Sequence, residues 1–166
     1  MGLDIRGYSQ ALLIDEDDII EDDGEAYRPD GSYWRPWPVK AWTNPHFPWS
    51  LGDSLTDGRW YDVGEPAATA RFGYHGWALF RQDVSLHGIG ATAETVWNHP
   101  QRYLVHNAYW LVNFADNEGV IGPEMCRLIY RGLCSIRAQM TPEWGRDYLA
   151  VVACFKAGRS GLVTFS

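Results

Sequence analysis

The stretch between residues 27 and 61 constrains the fold more than any other part of the sequence. It contains five of the nine tryptophans and five of the nine prolines of the chain. Proline lacks a backbone N–H and clashes with the preceding helical turn, so prolines at this density exclude a helix interior or a central strand. We therefore predict a long irregular segment that aromatic side chains hold in place. Segments of this kind in compact domains are usually functional or mobile.

Regular structure is predicted on both sides of this Trp/Pro-rich stretch. Leu3 and Ile5 alternate with Asp4 and Arg6, which predicts a strand that continues as an apolar run over residues 11–14. Apolar spacing predicts a short helix over residues 75–86 and longer ones over 100–115, 123–140 and 142–156, whereas residues 91–99 fit either a loop or a short strand. Residues 162–166 form a predicted terminal strand. The chain is therefore expected to be a single α+β domain over residues 1–166. Its small antiparallel or mixed sheet includes both termini and packs against about three helices.

The net charge of −7 has a local origin. Eight acidic residues and no basic ones lie between positions 15 and 25, and without them the remaining 13 acidic residues nearly balance the 14 Lys and Arg residues. We call these eight the acidic strip: Asp15, Glu16, Asp17, Asp18, Glu21, Asp22, Asp23 and Glu25. Mutual repulsion between these side chains favours a solvated loop. The alternatives are that the strip binds a basic protein or that it binds a hard cation. The near-neutral remainder argues against binding of double-stranded DNA.

Other compositional features narrow the location of the protein. No run approaches the ~18 apolar residues of a membrane span, and the N-terminus lacks the basic start and long apolar core of a signal peptide. The three cysteines, Cys126, Cys134 and Cys154, form no CxxC pair and fall on predicted helices, where buried, inert thiols are expected. These features predict a cytoplasmic protein without membrane partners.

The Trp/Pro-rich stretch also supplies the best candidate binding residues. Aromatic faces can stack on nucleobases while arginines contact phosphates, and the same residue types concentrate binding energy in protein interfaces. The alternative is that the rings only anchor the stretch to the core. The candidates are Tyr33, Trp34, Arg35, Trp37, Trp42, Trp49, Arg59 and Trp60.

Catalytic signals are weak. No nucleophile elbow, phosphate loop, dinucleotide fingerprint or zinc spacing is present, so no cofactor or metal is predicted. The enzymatic alternative is a small hydrolase that uses His75, His87 or His99 together with a carboxylate.

Three blocks of sequence resemble a family of uncharacterised small proteins of tailed bacteriophages and prophages: MGLDIRGYSQ, NFADNEGVIGPEMCRLI and DYLAVVACFKAGRSGLVTFS. Members open MGLDI-x-x-Y and carry a D-x-E-G-x-I-G-P phrase near the start of a helix. In this chain the phrase is formed by Asp116, Glu118, Gly119, Gly122 and Pro123. A structural role is expected, with a turn at Gly119 and a helix that begins at Pro123, while a metal or binding role for the two acidic residues is the alternative.

The resemblance implies expression inside a bacterial host cell but transfers no catalytic residue. The resulting hypothesis is a non-enzymatic accessory protein that binds a host protein or a small nucleotide-like ligand, for example in counter-defence. A hydrolase and a virion or assembly component are the alternatives.

Overall fold

The computed structural model describes residues 2–45, 47–113 and 119–166. The strands in these ranges are β1 (Gly2–Tyr8), β2 (Leu12–Leu13), β3 (Ile20–Asp22), β4 (Glu25–Tyr27), β5 (Val39–Lys40), β6 (Trp60–Asp62), β7 (Ala68–Gly73), β8 (Gly119–Ile121) and β9 (Leu162–Phe165). The α-helices are α1 (Tyr74–Gly88), α2 (Ala93–Asn98), α3 (Tyr109–Asn113), α4 (Pro123–Ser135) and α5 (Arg137–Gly158).

An antiparallel sheet with the strand order β7–β1–β9–β8 forms the centre of the fold. Ile5 of β1 lies opposite Ala70 of β7 on one side and opposite Phe165 of β9 on the other. The two terminal strands are therefore neighbours, which confirms the predicted α+β fold with both termini in one sheet.

The helices cover one face of this sheet. Leu3 and Ile5 point into the main core, which also contains Trp77 and Phe80 of α1 and Phe155 of α5. The alternation of apolar and charged residues along β1 therefore reflects a strand with one buried face, because side chains of successive strand residues point to opposite faces.

The Trp/Pro-rich stretch covers part of the opposite face. Tyr8 and Leu162 of the sheet pack there against Leu51, Leu55 and Tyr61 in a second, smaller core. Strands β5 and β6 lie within the stretch and pair with β2 in the order β2–β6–β5, while the rest is largely irregular. The predicted irregular segment is confirmed, but Leu51 and Leu55 hold it in this core together with Tyr61, and none of its five tryptophans is buried.

Several predicted local boundaries are wrong. Residues 91–99 contain a helix, α2, which Thr92 caps by accepting a hydrogen bond from the Thr95 amide at 3.2 Å. The predicted helix over residues 100–115 is instead a 3-10 turn at Pro100–Arg102 followed, after further turns, by the short α3. The spacing misled because loop side chains also pack against the core, as partly buried Tyr103 does.

Two further boundaries differ around the family phrase and the last helices. Gly119, expected in a turn, opens strand β8, which pairs with β9. The break between the last two helices lies at Ile136, and Pro142 lies inside α5, which is kinked at Gly145 with a φ of 45°. A positive φ is accessible to glycine without steric penalty, so Gly145 accommodates the bend. In the described ranges, the helices lack the combination of length and apolar character needed to cross a bilayer.

Candidate ligand-binding site

An exposed cluster of two rings and a guanidinium lies in the Trp/Pro-rich stretch. Arg35 places its Cζ 4.4 Å from the ring centroid of Trp37 and 5.6 Å from that of Tyr33. The two rings meet edge to face at 5.6 Å, and Tyr27 supports Tyr33 from behind at 4.9 Å. Tyr33 remains 50% exposed and Trp37 42% exposed. Both rings therefore remain accessible to solvent although they contact each other, and the cluster presents aromatic surface to a ligand.

A cavity of about 290 Å³ lies between this cluster and the central sheet. Its lining combines two guanidinium groups with two aromatic side chains and one carboxylate. The lining residues are Arg6, Tyr8, Arg35, Pro36, Trp37, Gly64, Glu65 and Pro66.

The fold brings the two arginines of the cavity together from distant parts of the sequence. Arg6 and Tyr8 lie on the β1 face opposite Leu3 and Ile5, and an ion pair of 3.3 Å with Asp4 orients the Arg6 guanidinium. Arg35 makes no salt bridge within the described residues. Since a guanidinium offers planar, paired donors, the cavity can recognise a carboxylate or phosphate beside an aromatic ring.

A comparison of the chain with protein-family models, curated proteins and solved structures finds no match. The resemblance to the phage and prophage family stays a prediction. The site is therefore interpreted from its geometry alone.

The other predicted aromatic residues lie outside this cavity. Arg28 lies 4.2 Å above the ring of half-buried Trp34, so one face of that ring is already covered. Trp49 packs edge to face against Phe47 and, at 5.9 Å, against Trp110, as the anchoring interpretation predicted. Trp42 is 37% exposed and does not line the cavity.

Arg59 and Trp60 contact the acidic strip. The Arg59 guanidinium lies 3.2 Å from the Glu16 carboxylate, and the Trp60 indole N–H donates to Glu21 at 3.0 Å. Lys40 Nζ donates to both Glu21 oxygens at 2.7 Å. These contacts, led by the Lys40 hydrogen bond, hold the pKa of Glu21 below its ordinary value. The acidic strip and the Trp/Pro-rich stretch, which are neighbours in the sequence, therefore contact each other in the fold.

The acidic strip is exposed, as predicted, but it is not only a loop. It contains a 3-10 turn at Glu16–Asp18 and the hairpin of β3 and β4. Asp23 and Gly24 connect the two strands with φ angles of 48° and 80°. An Asp-Gly pair with positive φ at both residues is the preferred type I′ connection of a hairpin, and this local preference forms the hairpin despite charge repulsion.

No group of three or more His, Cys, Asp or Glu side chains within the described ranges is arranged to hold a metal ion. Asp116 and Glu118 lie outside the described residues. The rest of the family phrase has a packing role, because the Gly122 amide donates to the Ser50 carbonyl at 2.8 Å. A Cβ on Gly122 would lie 2.6 Å from the carbonyl carbon of Leu51, so only glycine fits there.

Two histidines of the hydrolase hypothesis, His75 and His87, lie at opposite ends of one helix. His75 lies in the first turn of α1 and His87 in its last, which separates their backbones by about 18 Å at 1.5 Å per residue. Asp83, a carboxylate on the same helix, accepts a hydrogen bond from the Trp144 indole at 2.8 Å. The hydrolase alternative therefore loses its geometric basis for this pair.

Two of the three cysteines are buried as predicted, and the third, Cys134, is exposed. Cys126 and Cys154 are buried, and burial raises the pKa of Cys126 well above its ordinary value and that of Cys154 to about 11. Cys134 is exposed, because it follows the buried Leu133 by about 100° around α4 and faces outward.

Proposed function

We propose that this protein is a phage or prophage accessory protein that acts by binding in the bacterial cytoplasm. Its ligand is a small, anionic, nucleotide-like molecule that occupies the cavity beside Arg35 and Trp37. The observation that carries the proposal is a single cavity that the exposed ring of Trp37 and two arginines line together. The Trp37 face would stack on a base, and the arginines would contact a phosphate.

The size of the cavity favours a small ligand over an extended one. Its volume of about 290 Å³ lies at the lower end of the ~300–1,000 Å³ range typical of small-molecule sites. A protein segment would instead require a wide, flat patch, and the exposed rings of Tyr33 and Trp37 provide only a small one.

The proposal is tested by titrating a panel of mono- and dinucleotides, linear and cyclic, in a calorimeter. Stacking contributes ~1–3 kcal/mol per base, so Trp37→Ala is expected to weaken binding of the best ligand about 5- to 150-fold. Trp42→Ala is the matched control, since Trp42 is similarly exposed but lies outside the cavity. Absence of binding across the panel, or an equal loss in the control, would contradict the proposal.

A basic host protein is the second candidate partner, and the acidic strip favours it. Only Glu16 and Glu21 of the strip form ion pairs within the described residues, which leaves six exposed acidic side chains for a partner. Replacement of Asp17, Asp18, Asp22 and Asp23 by asparagine is expected to abolish salt-sensitive retention of such a partner on the immobilised protein. Retention that survives these substitutions would exclude the strip.

A further inference from the structure

A second cavity, of about 380 Å³, lies between α4 and the C-terminal end of α5. Its described lining contains four cationic side chains and no carboxylate. The residues are Arg127, Tyr130, Arg131, Lys156, Arg159 and Ser160, and we call them the basic cavity.

This concentration of positive charge contrasts with the net charge of −7. The ion pairs within the described residues use Arg6, Lys40, Arg59 and Arg71, and none uses a cation of the basic cavity. Like charges around one concave surface repel each other, so the unliganded arrangement carries an electrostatic penalty that a bound anion would remove.

Helix electrostatics explain only half of the cluster. Lys156 and Arg159 lie at the C-terminus of α5, where the partial negative charge of the helix end favours cations. Arg127 and Arg131 lie inside α4, one turn apart, and project toward the same cavity. Since no helix end accounts for these two arginines, their placement points to a ligand.

Contacts within the lining orient one of its four cations, Arg159. Arg159 stacks over the Tyr130 ring at 4.3 Å, and its Nε donates to the Lys156 carbonyl at 3.2 Å. These contacts orient the guanidinium while its two terminal nitrogens make no hydrogen bond within the described residues. Gly158 brings α5 against α4, because a Cβ there would lie 2.7 Å from the sulfur of Cys126. Because the Arg159 guanidinium is already oriented, it loses less entropy when an anion binds.

We propose that the basic cavity binds a small ligand that carries adjacent phosphate groups. Planar guanidinium forks match phosphate oxygens in pairs, and Lys156 adds a compact charge. The Ser160 hydroxyl on the same lining donates to the Ala157 carbonyl at 3.4 Å, a long bond that a phosphate oxygen could replace. This site is independent of the cavity at Trp37, since the two share no lining residue.

Inorganic triphosphate is the probe for a calorimetric titration of the full chain at low salt. We expect saturable binding at one site and an affinity at least about 10-fold lower in the double variant Arg131→Gln/Lys156→Gln, since each charge-assisted contact is strong. The matched control is Arg102→Gln/Arg146→Gln, which removes two exposed arginines outside the cavity and is expected to change affinity less than about 2-fold. Trp37→Ala is expected to leave triphosphate binding unchanged, so failure here and failure of the nucleotide site are distinguishable.

Thermal unfolding supplies a second readout of binding. At one triphosphate concentration, the melting temperature of the wild type and the control is expected to rise more than that of the double variant. Without ligand, the double variant is expected to melt at nearly the same temperature as the wild type, because the relief of charge repulsion offsets the loss of the Lys156 charge at the C-terminus of α5.

Three results would overturn the proposal. The first is a lack of saturable triphosphate binding, or an equal loss of affinity in the control. The second is that a single-stranded oligonucleotide binds far more tightly than triphosphate and displaces it, which would indicate a nucleic-acid surface. The third is a dimer, detected by sedimentation, that the double variant abolishes while triphosphate has no effect; the acidic strip of a second copy would then be the occupant.

Discussion

Gly7 lies where helix α5 crosses the central strand β1, and its replacement by alanine tests the packing of the whole fold. A Cβ at this position would lie 2.5 Å from the Cα of Cys154 and 2.7 Å from its carbonyl carbon. Nonbonded carbon atoms pack at ~3.5–4.0 Å, so the helix would have to retreat by about 1 Å. The backbone of α5 cannot yield as the end of a flexible side chain can.

The size of the effect follows from this geometry. Overpacking a tight core destabilises a protein by about 1–3 kcal/mol, and contact between two backbones places Gly7→Ala at the upper end. Loss of glycine's freedom in the unfolded chain returns about 0.4–1 kcal/mol. The free energy of unfolding should therefore fall by about 2–2.6 kcal/mol, which lowers the melting temperature of a chain of 166 residues by roughly 4–10 °C.

Urea unfolding followed by far-UV circular dichroism measures this change. Gly73→Ala is the matched control, because Gly73 ends the edge strand β7 of the same sheet and a Cβ there meets no atom within 4 Å. Gly73 is also the N-cap of α1, a position that favours glycine over alanine, so we expect the control to lose at most about 1 kcal/mol. If Gly7→Ala is as stable as Gly73→Ala, the close approach of α5 to β1 is refuted.

Two further predictions concern side chains near the surface. In the native protein only the exposed Cys134 should react rapidly with a thiol reagent, with Cys126 and Cys154 following after unfolding; rapid modification of two or three thiols would contradict their burial. Lys40→Gln should raise the pKa of Glu21, measured by NMR titration, toward its ordinary value, and an unchanged pKa would refute the contact. Because the pKa of Glu21 is lower in the folded state, this contact stabilises the fold above pH ~4.3. The stabilisation is lost as the pH falls through the lowered pKa, and it amounts to at most about 1 kcal/mol for so exposed a pair.

The sequence alone identified the elements whose signal is local. The strand β1 follows from the alternation of Leu3 and Ile5 with charged residues, and the start of α4 follows from Pro123. The Trp/Pro-rich stretch was recognisable because proline restricts the backbone wherever it occurs. Local signals failed where loop residues pack against the core, as in the stretch before α3.

Only the tertiary structure decided which residues face each other. The sequence predicts Arg35 and Trp37 as binding residues. Arg6 and Tyr8 line the same cavity only because the Trp/Pro-rich stretch folds over the outer face of β1. Arg59 and Trp60, candidates for the same reason, contact the acidic strip instead. The basic cavity carries no sequence signal, because its arginines and lysine come from two helices that their packing brings together. Residue type and spacing determine local conformation and available chemistry, whereas long-range packing determines which of those groups share a site.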